Sequence, residues 1–288
     1  MSASKFKSIH PSDIAQTRTK LHEAIPVTGT ILSGTYSDNN IKNYAHGMFQ
    51  SVYDYPYLSS SANHIIDLTA GWSSTSGLSG STNVSQRNQK NDIYNEMAQV
   101  LAGYDATGSI NKFDVSGSFS SNTAADKMNE VVIFNFSRLL QKDEIQRANN
   151  GFTITLGVSA SYSNPFGKTM RVYDKNGTDT VYTNTPAGEF GILYASSSDM
   201  NPADQECGLL FYQAGVAVLT ASVFTSTFVE NCQMNASSET IQDVLTSGSI
   251  SGSCDALRHR VQNIDFNNTT ELNSSIYFCR VFNSDFNY

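Results

Sequence analysis

The segment NHIIDL contains a histidine and an aspartate, His64 and Asp67, whose spacing of three residues could orient an imidazole as a general base. Such a base acts on a nucleophile, and the sequence has no GxSxG motif or other marked nucleophile to accompany it. None of the five histidines lies in HExxH or another metal-ligand spacing. Packing or solvation explains these histidines equally well, so the sequence predicts no catalytic residue and no bound metal.

Motifs for nucleotide binding are also missing. The chain has no P-loop and no GxGxxG motif, so we predict no cofactor. Glycoside hydrolysis needs two facing carboxylates, but the acidic residues of the first third are scattered over predicted turns and caps, and that role suffices to explain them. These residues are Asp38, Asp54, Asp67, Asp92, Glu96 and Asp105. We therefore predict that the protein is not an enzyme.

A cluster of aromatic residues is the candidate for binding. The stretch YDYPYL places Tyr53, Tyr55 and Tyr57 around Pro56, and Trp72 follows in the same region. Flat rings beside amide and carboxylate groups are typical of a glycan-binding face, but tyrosine is also enriched in protein interfaces, because it combines large area with a polar tip. A buried joint is the third alternative, since Pro56 would make the stretch the extended exit of a helix. We favour packing or an interface over a glycan site.

Four cysteines lie in the last third of the chain, at Cys207, Cys232, Cys254 and Cys279. Their spacings contain no CxxC pair, which disfavours zinc. An even number allows two disulfides, but the N-terminal segment lacks the apolar core of a secretory signal. Buried free thiols are therefore the favoured interpretation.

Composition and charge limit the partners. The 288 residues include 15% charged residues and carry a formal net charge of −8. An acidic protein repels phosphate, so we predict neither nucleic acid nor an anionic membrane as a partner. The longest apolar run, LLFYQAGVAVL, is shorter than the ~18 residues that a membrane helix needs. We expect a soluble protein without a membrane segment.

Helical spacing occurs mainly in the N-terminal third. Residues 12–25 have a loose helical pattern that would stop before Pro26. Residues 41–52 place apolar side chains at i, i+3, i+4 and i+7, and residues 93–101 form a shorter stripe. A lone N-terminal helix either packs on its own domain or reaches a neighbouring subunit as an arm. In the second case its interface residues would be Arg18, Leu21 and His22.

From residue 129 on, the pattern changes to strands. Runs such as VVIFNFSRLL, GFTITLGVSASY and FGILYAS are rich in β-branched and aromatic residues. The pair Asn176-Gly177 predicts a tight hairpin between two strands, and residues 213–215 predict a turn between two more. Short helices are expected at 237–249 and 253–264, the second with a strand as its alternative.

These patterns predict a β-rich α+β fold of antiparallel sheets with a sandwich-like core and a few short helices, mainly in the N-terminal third. We divide the chain into an N-terminal helix or arm (1–28), a mixed region of helices and long loops (29–128) and a β-rich region (129–288). Residues 29–288 as one continuous domain are the alternative.

Several segments resemble a known family. They are KLHEAIPVTGTILSGTY, NNIKNYAHGMFQSVYDYPYLSSSANHIIDLTAG, IYNEMAQVLAGYDATGSI, CGLLFYQAGVAVLTASVF and LRHRVQNIDFNNTTELNSSIYFCR. In this order, over roughly residues 15 to 288, they resemble an uncharacterised family of virion structural proteins from cyanophages and other marine contractile-tailed phages. The family supplies no catalytic residues.

The resemblance implies a structural subunit of a phage virion, assembled in the host cytoplasm and placed in the tail baseplate. A capsid or neck subunit is one alternative, and a receptor- or glycan-binding module on the virion surface is another. The implied partners are other virion structural proteins and copies of this chain. The residues expected to contact them are Arg18, Leu21, His22, Tyr53, Tyr55 and Tyr57.

Overall fold

The computed structural model describes residues 9–27, 38–119, 126–180, 182–198 and 204–280. Its strands are β1 (Ile14–Val27), β2 (Ile41–Asn43), β3 (Gln50–Tyr53), β4 (His64–Trp72), β5 (Glu130–Phe136), β6 (Glu144–Ile145), β7 (Phe152–Gly157), β8 (Thr169–Asp174), β9 (Phe190–Ser196), β10 (Gln205–Phe211), β11 (Val216–Thr220) and β12 (Val261–Tyr277). They form one sheet in the order β1-β12-β7-β8-β9-β10-β11-β5-β4-β3-β2, with β6 paired to β12. The predicted β-rich class with antiparallel pairing is confirmed.

Four α-helices accompany the sheet within the described residues: α1 (Arg87–Leu101), α2 (Arg138–Gln141), α3 (Ile241–Ser247) and α4 (Ile250–Arg260). α1 contains the helix predicted at 93–101. Three of the four follow residue 129, so the predicted concentration of helices in the N-terminal third is not confirmed. α3 starts at a capping box formed by Thr240 and Asp243, and α4 has Ser249 as its N-cap.

The helix predicted over residues 12–25 is wrong. This segment is the strand β1, and it pairs with β12 along its whole length. The loose helical spacing also contains a period of two, in which uncharged and charged residues alternate from Thr17 to Leu21. The partner strand comes from the far end of the sequence and satisfies the β1 backbone, which local propensity could not indicate. Residues 1–8 and 28 of the predicted arm lie outside the described residues.

The helix predicted over residues 41–52 is also wrong. The segment forms β2 and β3, with Ile41 opposite Val52. Gly47 has a φ of +65°, a left-handed conformation that reverses the chain and is incompatible with a continuous helix. The apolar residues whose spacing suggested a helix are divided between the two strands of a hairpin.

The tight hairpin predicted at Asn176-Gly177 is wrong as well. β8 ends at Asp174, and its partner β9 begins only at Phe190. Neither residue of the pair has the positive φ of a two-residue hairpin turn. The second predicted strand contributes a single bridge from Tyr182 to Phe190, and residue 181 lies outside the described part.

Other local signals agree with the structure. The strand-like runs predicted at 131–140, 151–162 and 190–196 coincide with β5, β7 and β9, although the end of the first run belongs to α2 and the second extends beyond β7. The turn at 213–215 joins β10 to β11, with Gly215 at a φ of +68°.

Aromatic side chains from separate strands meet in the core. Phe136 of β5 has its ring centre 5.6 Å from that of Phe152 in β7 and 5.0 Å from that of Phe266 in β12. In the sheet order β8, β9, β10 and β11 lie between β7 and β5, so the sheet curves enough for side chains of these distant strands to meet. α1 covers β4, where Gly71 lies against the backbone of Lys90.

The four cysteines are free thiols, and the predicted burial holds for three of them but is wrong for Cys279. Cys207, Cys232 and Cys254 are buried and Cys279 is exposed. Burial raises the pKa of Cys232 to about 11. Among the described residues, no cluster of three or more His, Cys, Asp or Glu side chains could hold a metal ion. Within the same residues, no helix combines the length and apolarity needed to span a bilayer.

Candidate assembly surface

A two-stranded ribbon extends beyond the rest of the sheet. β1 pairs with β12 in one antiparallel register that starts with Ile14 opposite Tyr277. On its other side, β12 pairs with β7 and then with β6, as far as Thr269. β1 is the terminal strand of the sheet. As strands, residues 14–21 and 270–277 are therefore paired only with each other, and they are termed the ribbon.

The ribbon is long and exposed. Its eight residue pairs give a length of about 27 Å at about 3.4 Å per residue. From Ile14 to Leu21 every side chain except the half-buried Ala15 is exposed, and from Leu272 to Tyr277 all of them are. A two-stranded ribbon alone in water is marginally stable at best. Burial of one of its faces would stabilise it.

One face of the ribbon is charged, because directly opposite residues share a face and successive residues alternate. On this face Arg18 lies opposite Asn273, and Lys20 lies opposite Glu271. The side chains of Arg18 and Glu271 form an ion pair, and this hydrogen bond lowers the pKa of Glu271. Lys20 Nζ lies 2.6 Å from Glu144 Oε1. The four charged groups line a polar groove of about 290 Å³.

The other face of the ribbon carries no charge and is termed the neutral face. It consists of Ala15, Thr17, Thr19 and Leu21 of β1 opposite Ile276, Ser274, Leu272 and Thr270 of β12. Leu21, Leu272 and Ile276 are 52%, 50% and 51% exposed. In a sheet, the face that lacks charge is ordinarily the one packed on another layer, so the neutral face has the composition of a buried surface in an exposed position.

The base of the neutral face is fixed to the body by α2. The Asn268 amide donates to the Leu140 carbonyl oxygen at 2.8 Å. Lys142 Nζ donates to Glu23 Oε2 at 2.7 Å, and this contact lowers the pKa of Glu23. Leu139 of α2 is 83% exposed beside these contacts. An exposed apolar side chain therefore lies on α2, the helix that holds the base of the ribbon.

The free end of the ribbon is also apolar. Ile14, Tyr277 and Phe278 are exposed there. The backbone is closed by a hydrogen bond from the Phe278 N–H to the Asp13 carbonyl oxygen at 2.8 Å, and Asp13 forms an ion pair with Arg280.

The predicted arm residues all lie on β1, although not on one surface. Arg18 is on the charged face and Leu21 is on the neutral face. His22 lies at the base, where its Nδ1 atom is 3.1 Å from the Thr269 hydroxyl. Because the segment is a strand and not a helix, Arg18 and Leu21 lie on opposite faces and cannot contact the same partner surface. Leu21 alone of the three lies on the neutral face.

The predicted tyrosines lie elsewhere, at the end of β3 and in the loop that follows. Tyr53 is half-buried, with its ring centre 6.3 Å from that of Tyr57 and 5.4 Å from that of His64. Tyr55 and Tyr57 are 57% and 37% exposed. β3 is second from the opposite end of the sheet order to β1. The tyrosines and the ribbon are thus two separate candidate surfaces.

Trp72 does not belong to the tyrosine surface. Its side chain is fully buried against Lys90. A glycan platform that combines the tyrosines with Trp72 is therefore wrong.

The His64–Asp67 pair exists but is not arranged to activate a nucleophile. His64 Nε2 lies 2.8 Å from Asp67 Oδ1, and the buried Ser51 hydroxyl donates to the same oxygen. The carboxylate therefore lies between the hydroxyl and the imidazole, whereas a base must contact the nucleophile directly.

Sequence reasoning missed the main residues of the neutral face, among them Thr17, Thr19, Leu272 and Ile276. The signal was present as strict alternation in QTRTKL, where Arg18 and Lys20 alternate with the threonines. The pairing with residues 270–277 has no local signal at all.

The fold and this surface define a β-rich protein with a projecting, uncharged ribbon face. Protein-family models give no match to the chain, and neither curated proteins nor solved structures give a significant one.

Proposed function

We propose that the protein is a structural subunit of a phage virion, a component of the tail baseplate that acts through protein–protein contacts. The resemblance of its segments to virion structural proteins supports the phage setting. The observation that carries the assembly role is the ribbon, because its uncharged face is exposed in the isolated chain.

The exposed ribbon face suits an assembly contact. Burial of apolar area is stabilising by roughly 25 cal/mol per Å², and a charge-free face costs no desolvation of unpaired ions. Both outer edges of the ribbon also offer backbone groups to an added strand. The curved sheet, which we infer to be sandwich-like where β5 packs on β7 and β12, gives the ribbon a rigid base.

The size of the surface indicates one contact among several. A ribbon of about 27 by 10 Å buries roughly 300–500 Å² per partner, whereas stable binary interfaces bury about 800 Å² per partner. The partners are other virion proteins and copies of this chain, and the setting is the virion. Nucleic acid, membrane, cofactor and catalysis have no part in this role.

The test uses two variants that differ in the face they alter. Leu272→Glu places a charge on the neutral face, and Asn273→Glu places the same charge on the opposite face of the same strand. Phages with Leu272→Glu should yield particles depleted of the protein, as quantified by mass spectrometry, while Asn273→Glu particles contain it normally. Absence of the wild-type chain from purified particles would falsify the proposal.

A second candidate function, receptor or glycan binding, is favoured by the exposed loop after β3. Tyr55, Tyr57 and Leu58 are all exposed there. If this function is correct, Tyr55→Ala and Tyr57→Ala particles assemble normally and lose adsorption to the host.

A further inference from the structure

We infer that the neutral face packs on the neutral face of a second copy of this chain, with the two ribbons stacked face to face and their strands antiparallel. This inference rests on the proposed function for its setting, because assembly supplies the high local concentration that a small surface needs. It deepens that function by naming the partner and the register.

The neutral face is complementary to itself in this arrangement. A twofold axis across the ribbon, between the Thr17 and Thr19 pairs, stacks β1 on β1 and β12 on β12 of the second copy. Leu21 then lies over Ala15, Leu272 over Ser274, and Ile276 over Thr270. In these three contacts the larger side chain meets a smaller one, which is how facing sheets interdigitate, and Thr17 lies over Thr19 at the axis.

The free end and the base of the ribbon complement each other as well. Antiparallel stacking carries the exposed Phe278 at the end of one ribbon toward the exposed Leu139 at the base of the other. Two apolar side chains that the isolated chain leaves in water are thereby brought to one place.

Charge favours the same arrangement. Each chain has a net charge of −8, so two copies repel where their bodies approach. Antiparallel ribbons keep the bodies at opposite ends of a stack about 27 Å long, which is several times the screening length of about 8 Å at physiological salt. Between residues 15 and 21 the stacked faces bring no charge together, and at the two ends the acidic Asp13 and Glu23 are each neutralised by their own cation, Arg280 and Lys142.

Face-to-face stacking accounts for the exposed apolar side chains of the ribbon, whereas edge-to-edge pairing does not. If β1 added to β1 of a second copy edge to edge, a four-stranded ribbon would form, but Leu21, Leu272 and Ile276 would stay in water. Face stacking covers all three and leaves Arg18, Lys20 and Glu271 on the outside.

The test is disulfide trapping of the register in the full chain, in a Cys279→Ser background that removes the exposed native thiol. Leu272→Cys and Ser274→Cys chains are mixed and treated with a mild oxidant, which takes two electrons and two protons from each thiol pair. The control mixes Asn273→Cys with Ser275→Cys, on the opposite face of the same strand. Circular dichroism checks that all four variants fold.

The 272–274 cross-link between two chains should form about tenfold faster than the control cross-link, since docked thiols have an effective concentration in the millimolar range. It should also outnumber 272–272 and 274–274 products, because the axis places residue 272 over residue 274. Equal rates on both faces, or a mixture without preference among the three products, overturn the inference.

The inference and the proposed function fail separately. If Leu272→Glu removes the protein from particles but no neutral-face cross-link forms, the ribbon binds a different virion protein, and the inference fails while the proposed function stands. If the cross-link forms but purified particles lack the chain, the proposed function fails.

Discussion

The ammonium group of Lys90 lies 4.9 Å from the centre of the Trp72 ring, and both side chains are fully buried. Lys90 Nζ donates to the carbonyl oxygens of Leu245 and Gly248, at 2.5 and 2.6 Å. The lysine thereby joins α1 to the end of α3, where carbonyl groups attract a cation. Burial still disfavours its charge and lowers its pKa from 10.5 to about 8.

This buried lysine should make stability depend on pH. Between pH 8 and 10.5 the unfolded chain binds more protons at Lys90 than the folded chain does, so its contribution to the free energy of unfolding rises with pH. We expect a rise of about 1–3 kcal/mol across this window in wild type relative to Lys90→Met, measured by urea unfolding at several pH values. Lys112→Met alters a partly exposed lysine and should keep the wild-type slope. A slope in Lys90→Met equal to that of wild type would contradict this assignment.

Arg260 should be irreplaceable by lysine. Its guanidinium donates to the carbonyl oxygens of Gly157, Ser159, Ser161 and Gln233, and so ties two loops to the end of α4. A lysine ammonium cannot reproduce this planar fork, and buried carbonyl oxygens would lose donors. Arg260→Lys should reduce the free energy of unfolding by about 2–4 kcal/mol.

The matched control for Arg260 is Arg87→Lys. Arg87 is exposed and donates to one carbonyl oxygen, that of Ser81. Its replacement should change stability by less than about 0.5 kcal/mol in the same urea titration. Equal effects of the two substitutions would show that the buried fork has no special role.

Asp174 should have a dependence on pH of its own. Its Oδ2 atom accepts the Tyr212 hydroxyl at 2.6 Å, but burial dominates and raises its pKa from 3.8 to about 6. The folded chain therefore binds more protons between these values, and stability from this group is lost as pH rises through 6. Asp174→Asn should be more stable than wild type at pH 7 by about 1–3 kcal/mol, and the gain should shrink toward pH 4.

Tyr212→Phe provides the check on Asp174. It removes the hydroxyl that stabilises the carboxylate, so the pKa of Asp174 should rise further. The pH range in which the protein loses stability should therefore move upward. Urea unfolding between pH 4 and 8 measures this shift. A gain in Asp174→Asn that is independent of pH would refute the titration of Asp174.

Gly71 should not tolerate a side chain. A Cβ atom at this position would lie 2.5 Å from the Lys90 carbonyl oxygen, so α1 would have to move away from β4. Gly71→Ala should lower the free energy of unfolding by about 1–3 kcal/mol. Gly77→Ala is the control, because a Cβ atom there meets nothing within 4 Å. Thermal unfolding of Gly71→Ala and Gly77→Ala tests this. Similar melting temperatures for the two variants would contradict the close approach of β4 to α1.

The sequence predicted those parts of the fold whose signal is local. β5, β9 and the turn at Gly215 follow from β-branched runs and from a glycine where φ is positive. β1 was mistaken for a helix because its pattern fits both periods and its partner lies 253 residues away at the Arg18–Glu271 pair. Gly47 was the local sign against the second helix.

The candidate surface was predictable only in part. Arg18, Leu21 and His22 were chosen as arm residues, and they do lie on or at the base of the projecting ribbon. The neutral face could not be assigned, since the alternation identifies a face only once the segment is known to be a strand and β12 is known to pair with it. Buried partners such as Lys90 and Arg260 have no sequence signal, because their role depends on which carbonyl groups the fold brings to them.

The pairing of β1 with β12 also determines when the ribbon can form during synthesis. β1 is synthesised long before β12 and must wait until that partner strand has left the ribosome. Long-range pairing of this kind forms late, because the entropy of closing so large a loop is lost before any contact compensates for it. A chain interrupted before β12 has no ribbon and so no neutral face to offer. If the protein assembles through the ribbon as proposed, only chains that have been synthesised and folded through β12 can make this contact.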